Sequence, residues 1–347
     1  MTSSISTQTI SSLLRQSVLQ MQSNLATSEA ELTTGTYADL GLTLGARTGQ
    51  SVSLQEENSL LQTIADTNQV VTGTLSTTQT ALTNLQSSAQ SLLNSFIEGN
   101  GSNSNASSIQ ALGQSNLQSL ISTLNTSFGG SYIFSGVNTA SQPVTDYFGP
   151  GAPNKAAVDA AFSSAFGMNQ TSASVSSISG TSMQSFLATQ FAGLFQGTQW
   201  SSNWSSASDQ TLTSRISETQ TASTSVSANN SAFQQLAQAY TMVADLGTQN
   251  LSWSAYQAVA TTAQGLLSSA ITNLVNLQAS VGLVQSNISA STNQMSAQMN
   301  ILSTQIGNLD NVDPYDAATR VSNLQTQIET AYSLTSQLHQ LSLVQYL

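Results

Sequence analysis

Few side chains in this sequence could carry acid–base, nucleophilic or metal chemistry. His339 is the single histidine, it lies between Leu338 and Leu341 in an apolar repeat, and the chain has no cysteine. Zinc sites need cysteines or paired histidines, so a zinc site is excluded. A Ser-His-Asp arrangement stays open on composition alone, but a lone histidine in such a repeat is better interpreted as packed or solvated. The sequence therefore predicts no catalytic residue, no metal site, no cofactor and a protein that is not an enzyme.

The acidic residues are also better explained by helix structure than by a bound ion. Residues 310–313 read Asp-Asn-Val-Asp, but the glycine and the distal glutamate of a calcium loop are missing, and helix capping accounts for these acids. Asp313 followed by Pro314 is typical of a helix start. Glu29 and Glu31 lie two positions apart on a predicted helix, do not face each other, and are expected to be solvated.

Charged residues are unusually scarce, at 6% of the chain, against about 25% in an average soluble domain. The net charge is −11 with only five basic residues, so a nucleic-acid partner is excluded, because nothing could neutralise a row of phosphates. No run of eighteen apolar residues is present, which predicts no membrane insertion. The first six residues lack the basic and apolar regions of a cleavable signal peptide, so export would need another route.

Apolar residues recur every three and four positions in four long stretches, which is typical of coiled-coil seams. The two middle stretches cover 61–96 and 260–288. The pattern predicts a mainly α fold with a smaller β-containing part, in which both termini form a long antiparallel helical coiled-coil rod. The terminal stretches supply the predicted polymerisation interface: Leu14, Val18, Met21, Leu25, Leu32, Val321, Leu324, Ile328, Leu338, Leu341 and Leu343.

The repeats stop in the middle of the chain, where aromatic residues and prolines concentrate. Residues 141–225 are expected to form a variable outer tip domain with its own core. Residues 1–45 with 311–347 form the predicted terminal polymerisation layer, and 46–140 with 226–310 a helical rod domain with a short β-hairpin near 130–145. Tyr132 to Phe134 read as a strand. Trp200 and Trp204 are interpreted as core residues, with a sugar-stacking patch as the alternative.

The terminal repeats allow two readings. A self-contained bundle would close every seam within one chain. The terminal stretches, however, have little partner beyond each other, and a two-helix layer leaves apolar faces in water. Burial between copies removes that cost, so the pattern favours self-association.

Three segments carry a resemblance to a known family. Residues 129–139, from Gly129 to Thr139, resemble the strand-and-turn motif of the bacterial flagellin superfamily. Residues 225–233 resemble the return into its long carboxyl-side helix, and residues 341–347 are similar to the tail of its hook–filament junction members. The Arg-Ile-Asn stretch with paired aspartates that marks filament flagellins near residues 35–50 is absent. The junction type is therefore favoured, with the filament subunit as the alternative.

The resemblance implies an extracellular flagellar subunit, exported by the type III apparatus without a cleavable signal peptide. It also implies self-association, contact with hook-associated proteins and flagellin, and an export chaperone. A secreted surface-binding protein that uses the tip domain stays open as a second class. An enzyme on a helical scaffold is the third.

Overall fold

The computed structural model describes the backbone of residues 7–98 and 105–344, and the side chains of residues 9–98 and 105–337. The described chain is predominantly helical with two small hairpins, which confirms the predicted fold class. The helices are α1 (Thr7–Thr34), α2 (Leu40–Leu44), α3 (Thr48–Glu98), α4 (Ala106–Leu124), α5 (Pro153–Phe166), α6 (Gly180–Phe186), α7 (Gly197–Asn203), α8 (Ser231–Asp245), α9 (Trp253–Asp310) and α10 (Pro314–Val344). The strands are β1 (Ser127–Phe128), β2 (Ser131–Tyr132), β3 (Thr213–Arg215) and β4 (Thr221–Ser223).

The chain divides into two compact units. The terminal unit joins the chain before residue 64 to the chain after residue 294, and the central unit comprises residues 64–294. Helices α3 and α9 each contribute to both.

Within the central unit, α3 and α9 lie antiparallel in one register. Gln278 donates a hydrogen bond to Thr83 and Gln285 donates one to Ser76, each at 3.3 Å. One step of seven residues along α3 thus matches one step of seven back along α9, as two facing heptad repeats require. The predicted seam positions on both helices are buried or half-buried. Asn68, also at a seam position, is buried and donates to Thr292 at 3.0 Å and to the carbonyl of Ile216 at 2.9 Å.

Helix α8 is the centre of the central unit, because most of its residues are buried on every side. Its neighbour α4 approaches closely at Gly113, where an added Cβ would lie 2.8 Å from Cγ1 of Val243. Tyr240 of α8 shares a hydrogen bond with Ser88 of α3 at 3.1 Å. Helix α4 thus has a backbone-close contact with α8, which any larger side chain at position 113 would disturb.

Apart from the exposed Phe148, the aromatic residues of 141–225 lie in or against the same buried cluster as α3, α4, α8 and α9. That residues 141–225 form an outer tip domain stays a prediction. Trp200 and Trp204 stack with their ring centroids 5.6 Å apart and are both almost fully buried, so the core interpretation holds over the sugar-stacking one.

The two hairpins are short. In the first, β1 and β2 are joined by Gly129 and Gly130, both with positive φ, a turn conformation that glycine adopts without steric cost. The strand predicted for residues 132–134 is wrong beyond Tyr132, because Ile133 and Phe134 turn inward and are buried.

One described helix, α9, is long and apolar enough to cross a membrane by length and composition, with a mean hydropathy of 1.2 in its most apolar window. Its apolar residues follow the coiled-coil repeat, and Leu267, Ala270 and Leu274 are buried in the protein core. A core helix passes the same test, so this feature alone is weak evidence for a membrane span.

Candidate assembly interface

Helices α1 and α10 pair antiparallel in the terminal unit and form the first part of the candidate interface. The pair buries Val18 on α1, and Ala317, Ile328 and Ala331 on α10. Asp313 caps α10 by accepting a hydrogen bond from the backbone N–H of Tyr315 at 2.8 Å, as its sequence predicts. The two terminal heptad stretches therefore face each other within one chain.

The predicted interface residues divide into three groups. Val18 and Ile328 are buried in the pair. Leu14, Met21, Leu25, Val321 and Leu324 are half-buried along the same seam. The side chains of Leu338, Leu341 and Leu343, like that of His339, lie outside the described residues.

Leu32 does not fit the seam. Its side chain is 41% exposed, whereas Glu31 beside it is only 5% exposed. The carboxylate of Glu31 lies 3.0 Å from the guanidinium of Arg320, and it accepts a hydrogen bond from the N–H of Ala38 at 3.3 Å. Helix α1 ends three residues later, and Ser28 and Glu31 are its last buried positions. The expectation that Glu31 is solvated is therefore wrong. The sequence signal for its burial is its position three residues after Ser28, on the same face of the helix.

The chain crosses itself at the end of this helix pair, in a segment we call the elbow (residues 35–39 and 310–313). The N–H of Tyr37 donates to the carbonyl of Asp310 at 2.9 Å, and the N–H of Val312 donates to the carbonyl of Gly35 at 3.0 Å. Gly35 has φ +73°, which favours glycine at this helix end. These backbone hydrogen bonds hold the two segments of the elbow together.

Asp310 plays a different part from the one predicted. It does not cap a helix but lies at the end of α9 with 3% exposure. Its carboxylate accepts hydrogen bonds from Oγ of Ser51 and Nε2 of Gln55, both at 2.7 Å. It lines a cleft of about 610 Å³ between α3 and α9, together with amide and hydroxyl side chains that include Asn58. We call this space the elbow cleft.

A second set of apolar side chains lies on the outside of the terminal helix pair. Apart from Leu32, these residues fall off the heptad positions, so the periodicity does not predict them. Exposure reaches 86% for Tyr315, and the remaining members are also exposed: Leu13, Leu19, Leu32, Tyr332 and Leu334. Tyr332 keeps its hydroxyl bound, because Nε2 of Gln22 donates to it at 2.8 Å. The pairing of α1 with α10 therefore leaves apolar surface in water, and further copies could bury it.

The most tightly bonded group of ionisable side chains lies elsewhere, in the central unit. Tyr147 is fully buried and donates to Oδ2 of Asp245 at 2.6 Å, and Lys155 bonds the same oxygen at 2.9 Å. Burial and the negative charge of Asp245 both raise the pKa of Tyr147. Burial alone would lower the pKa of Lys155, but its bonds to Asp245 and Asp159 outweigh this effect and the pKa is raised. We interpret the group as an anchor between α5 and the end of α8.

The described part of the chain contains no group of three or more histidine, cysteine, aspartate or glutamate residues arranged to hold a metal ion. The terminal unit offers apolar contact, hydrogen bonding and ion pairing. This set of interactions suits association with other protein surfaces.

Comparison with known proteins gives matches at both ends of the chain. Residues 5–139 match the bacterial flagellin N-terminal helical region, and residues 265–347 match the bacterial flagellin C-terminal helical region. A solved structure described as a flagellar hook-associated protein from Vibrio parahaemolyticus superposes with a TM-score of 0.52 at 12% sequence identity. The alignment covers 76% of this chain and 97% of that one, and at such identity it concerns the fold alone. No curated protein sequence matches the chain.

Proposed function

Because this chain belongs to the bacterial flagellin superfamily, whose helical regions it carries at both ends, we propose that it is a structural subunit of the hook–filament junction. Family membership places the protein in the flagellum as a structural component that associates with itself and with other axial proteins. The position at the junction, rather than along the filament, is the finer part of the proposal.

One observation carries the assembly role. The two regions matched to the family include α1 and α10, and this helix pair keeps apolar side chains exposed on its outer side. Leu13, Leu19 and Tyr315 stay in water when the chain is alone. Contact with neighbouring copies buries such residues and supplies the hydrophobic driving force for association. The seam residues then stabilise the pair, and the outer residues contact the neighbours.

The junction position is supported by sequence features. The tail at residues 341–347 is similar to junction members, and the paired-aspartate motif of filament subunits is absent between residues 35 and 50. The description of the Vibrio protein as hook-associated agrees with this assignment. The main alternative is a filament flagellin.

The subunit has three layers and is exported from the cell. Residues 1–45 with 311–347 form the assembly layer, 46–140 with 226–310 the layer outside it, and 141–225 the outermost part. The protein is secreted, and an export chaperone binds it before export.

Localisation on purified flagella tests the proposal directly. A labelled antibody against the chain should stain a short band where filament meets hook. Staining along the whole filament would replace the junction role by that of a flagellin. A chain that is secreted but absent from flagella would overturn the structural role and favour a surface-binding protein.

A further inference from the structure

The carboxylate of Asp310 is buried without a cation. It is 3% exposed, its hydrogen bonds come from the neutral groups of Ser51 and Gln55, and no lysine or arginine among the described side chains pairs with it. It also lies at the last residue of α9, where the helix carbonyls add negative potential. A buried charge in such a place is usually compensated by an opposite charge.

The elbow cleft offers a second acceptor beside this carboxylate. Oδ1 of Asn58, which lines the same cleft, is buried and has no hydrogen-bond partner. A carboxylate has about four acceptor positions, of which Ser51 and Gln55 take two. The cleft therefore presents free acceptors and a negative charge, so it fits a group that is cationic and only donates. Arginine is the side chain with this chemistry, because its guanidinium has five N–H donors in one plane.

The chain itself holds few candidates. Of its five basic residues, Lys155 and Arg320 are ion-paired and Arg215 donates to backbone carbonyls. Arg15 and Arg47 are exposed, and no partner is found for either among the described residues.

We propose that the guanidinium of Arg47 from a second copy of this chain enters the elbow cleft and pairs with Asp310 and Asn58. Arg47 ends the 3-10 turn Gly45–Arg47, directly before α3, the helix that lines the cleft. Ser51, which bonds Asp310, follows Arg47 by four residues, about 6 Å along the helix, so a second copy displaced by a few residues along α3 could bring Arg47 to the cleft. Arg15 lies about twenty residues before the elbow, so it would reach the cleft only after a shift of about 30 Å along the helix. The inference rests on the proposed self-association and adds one specific contact to it.

A comparison of single and double variants tests whether Arg47 pairs with Asp310 of another copy. Arg47→Gln, Asp310→Asn and the double variant are expressed in a strain without its own copy, and the ratio of incorporated to secreted protein is measured in isolated flagella. Each single variant should lower this ratio about tenfold or more, and the double variant should be no worse than either, because all three lose the same ion pair. Arg15→Gln is the matched control and should stay close to the wild type. If the double variant lost incorporation by the product of the two single losses, the assignment would be overturned. The same holds if Asp310→Asn were non-additive with Arg15→Gln rather than with Arg47→Gln.

Cross-linking tests proximity without disturbing Asp310. The chain has no cysteine, so Arg47→Cys in one population and Asn58→Cys in another are the only thiols that this chain brings to a mixed flagellum. A bismaleimide with an arm about as long as an arginine side chain should join the two into covalent dimers, and Arg15→Cys with Asn58→Cys should give none. Flagella that contain both variants but no such dimer would refute the contact and leave the structural role intact. Absence of the wild-type chain from flagella would overturn both.

Discussion

Replacing Gly113 by alanine measures how closely α4 packs against α8. The new methyl group would lie 2.8 Å from Cγ1 and 3.0 Å from Cβ of Val243, and 3.1 Å from the backbone nitrogen of Ala244. The first two atoms belong to a side chain, but the third belongs to the backbone of a helix that is buried on all sides, so it has little freedom to move.

Two opposing effects determine how much Gly113→Ala changes the free energy of unfolding. Glycine in a helix interior is about 1 kcal/mol less favourable than alanine, so the substitution alone would stabilise α4. Overpacking of a close contact costs about 1–3 kcal/mol. We therefore expect Gly113→Ala to lower the free energy of unfolding by up to about 2 kcal/mol. Gly265→Ala on α9 is the matched control, because nothing lies within 4 Å of its added methyl group. It should raise the free energy of unfolding by up to about 1 kcal/mol.

Urea unfolding of the purified monomer, followed by circular dichroism, measures both variants. Adding Val243→Ala to Gly113→Ala should cost less than the sum of the two single substitutions, because the smaller side chain makes room for the methyl group. A Gly113→Ala protein as stable as the Gly265→Ala protein would show that the helices do not approach as closely as described.

Three further predictions concern assembly and ionisation. Ile328→Asp should abolish incorporation into flagella, because an unpaired charge in an apolar seam costs about 3–5 kcal/mol, whereas Ser322→Asp on the exposed side should be mild; equal incorporation of the two would show that the seam face is wrong. The free energy of unfolding should fall as the pH rises from about 10 to about 12. Burial raises the pKa of Tyr240 to about 12 and also raises the pKa of Tyr147. Tyrosines of the unfolded chain ionise near 10, so in this pH range the unfolded chain loses protons that the folded protein keeps. Tyrosinate absorbance follows this change, and ionisation of these tyrosines before unfolding would contradict it. Asp245→Asn should lower the free energy of unfolding by about 1–2 kcal/mol, because it weakens the charge-assisted hydrogen bonds from Tyr147 and Lys155, which solvent partly screens. An unchanged urea midpoint would contradict the anchor role.

The heptad helices could be predicted from the sequence because one period repeats over many turns. Most large apolar residues of α3 between 61 and 96 support the same phase, so single polar residues such as Asn68 do not hide it. The start of α10 was equally predictable, since Asp313 and Pro314 act locally. These features depend on neighbours a few residues away.

The remaining features depend on residues that are distant in sequence. Helix α8 carries polar residues every three to four positions, as a surface helix does, yet Gln238 and Thr241 among them are buried, so its central position could not be inferred from its sequence. Glu31 and Asp310 are acids, and their burial follows from the backbone crossing at the elbow. The exposed apolar residues of α1 and α10 carry no period. Composition and spacing therefore predicted the seam, but not its outer surface or the elbow cleft.

The burial of α8 by both halves of the central unit has a consequence for the order of folding. Leu75 of α3 and Ile288 of α9 belong to one buried cluster with α8 between them in the sequence. Contacts that join residues about two hundred positions apart form late, because a long loop must close before they are gained. A chain that emerges amino terminus first thus cannot complete this core until most of α9 has emerged. Until then the helices of the central unit lack the packing partners that stabilise them.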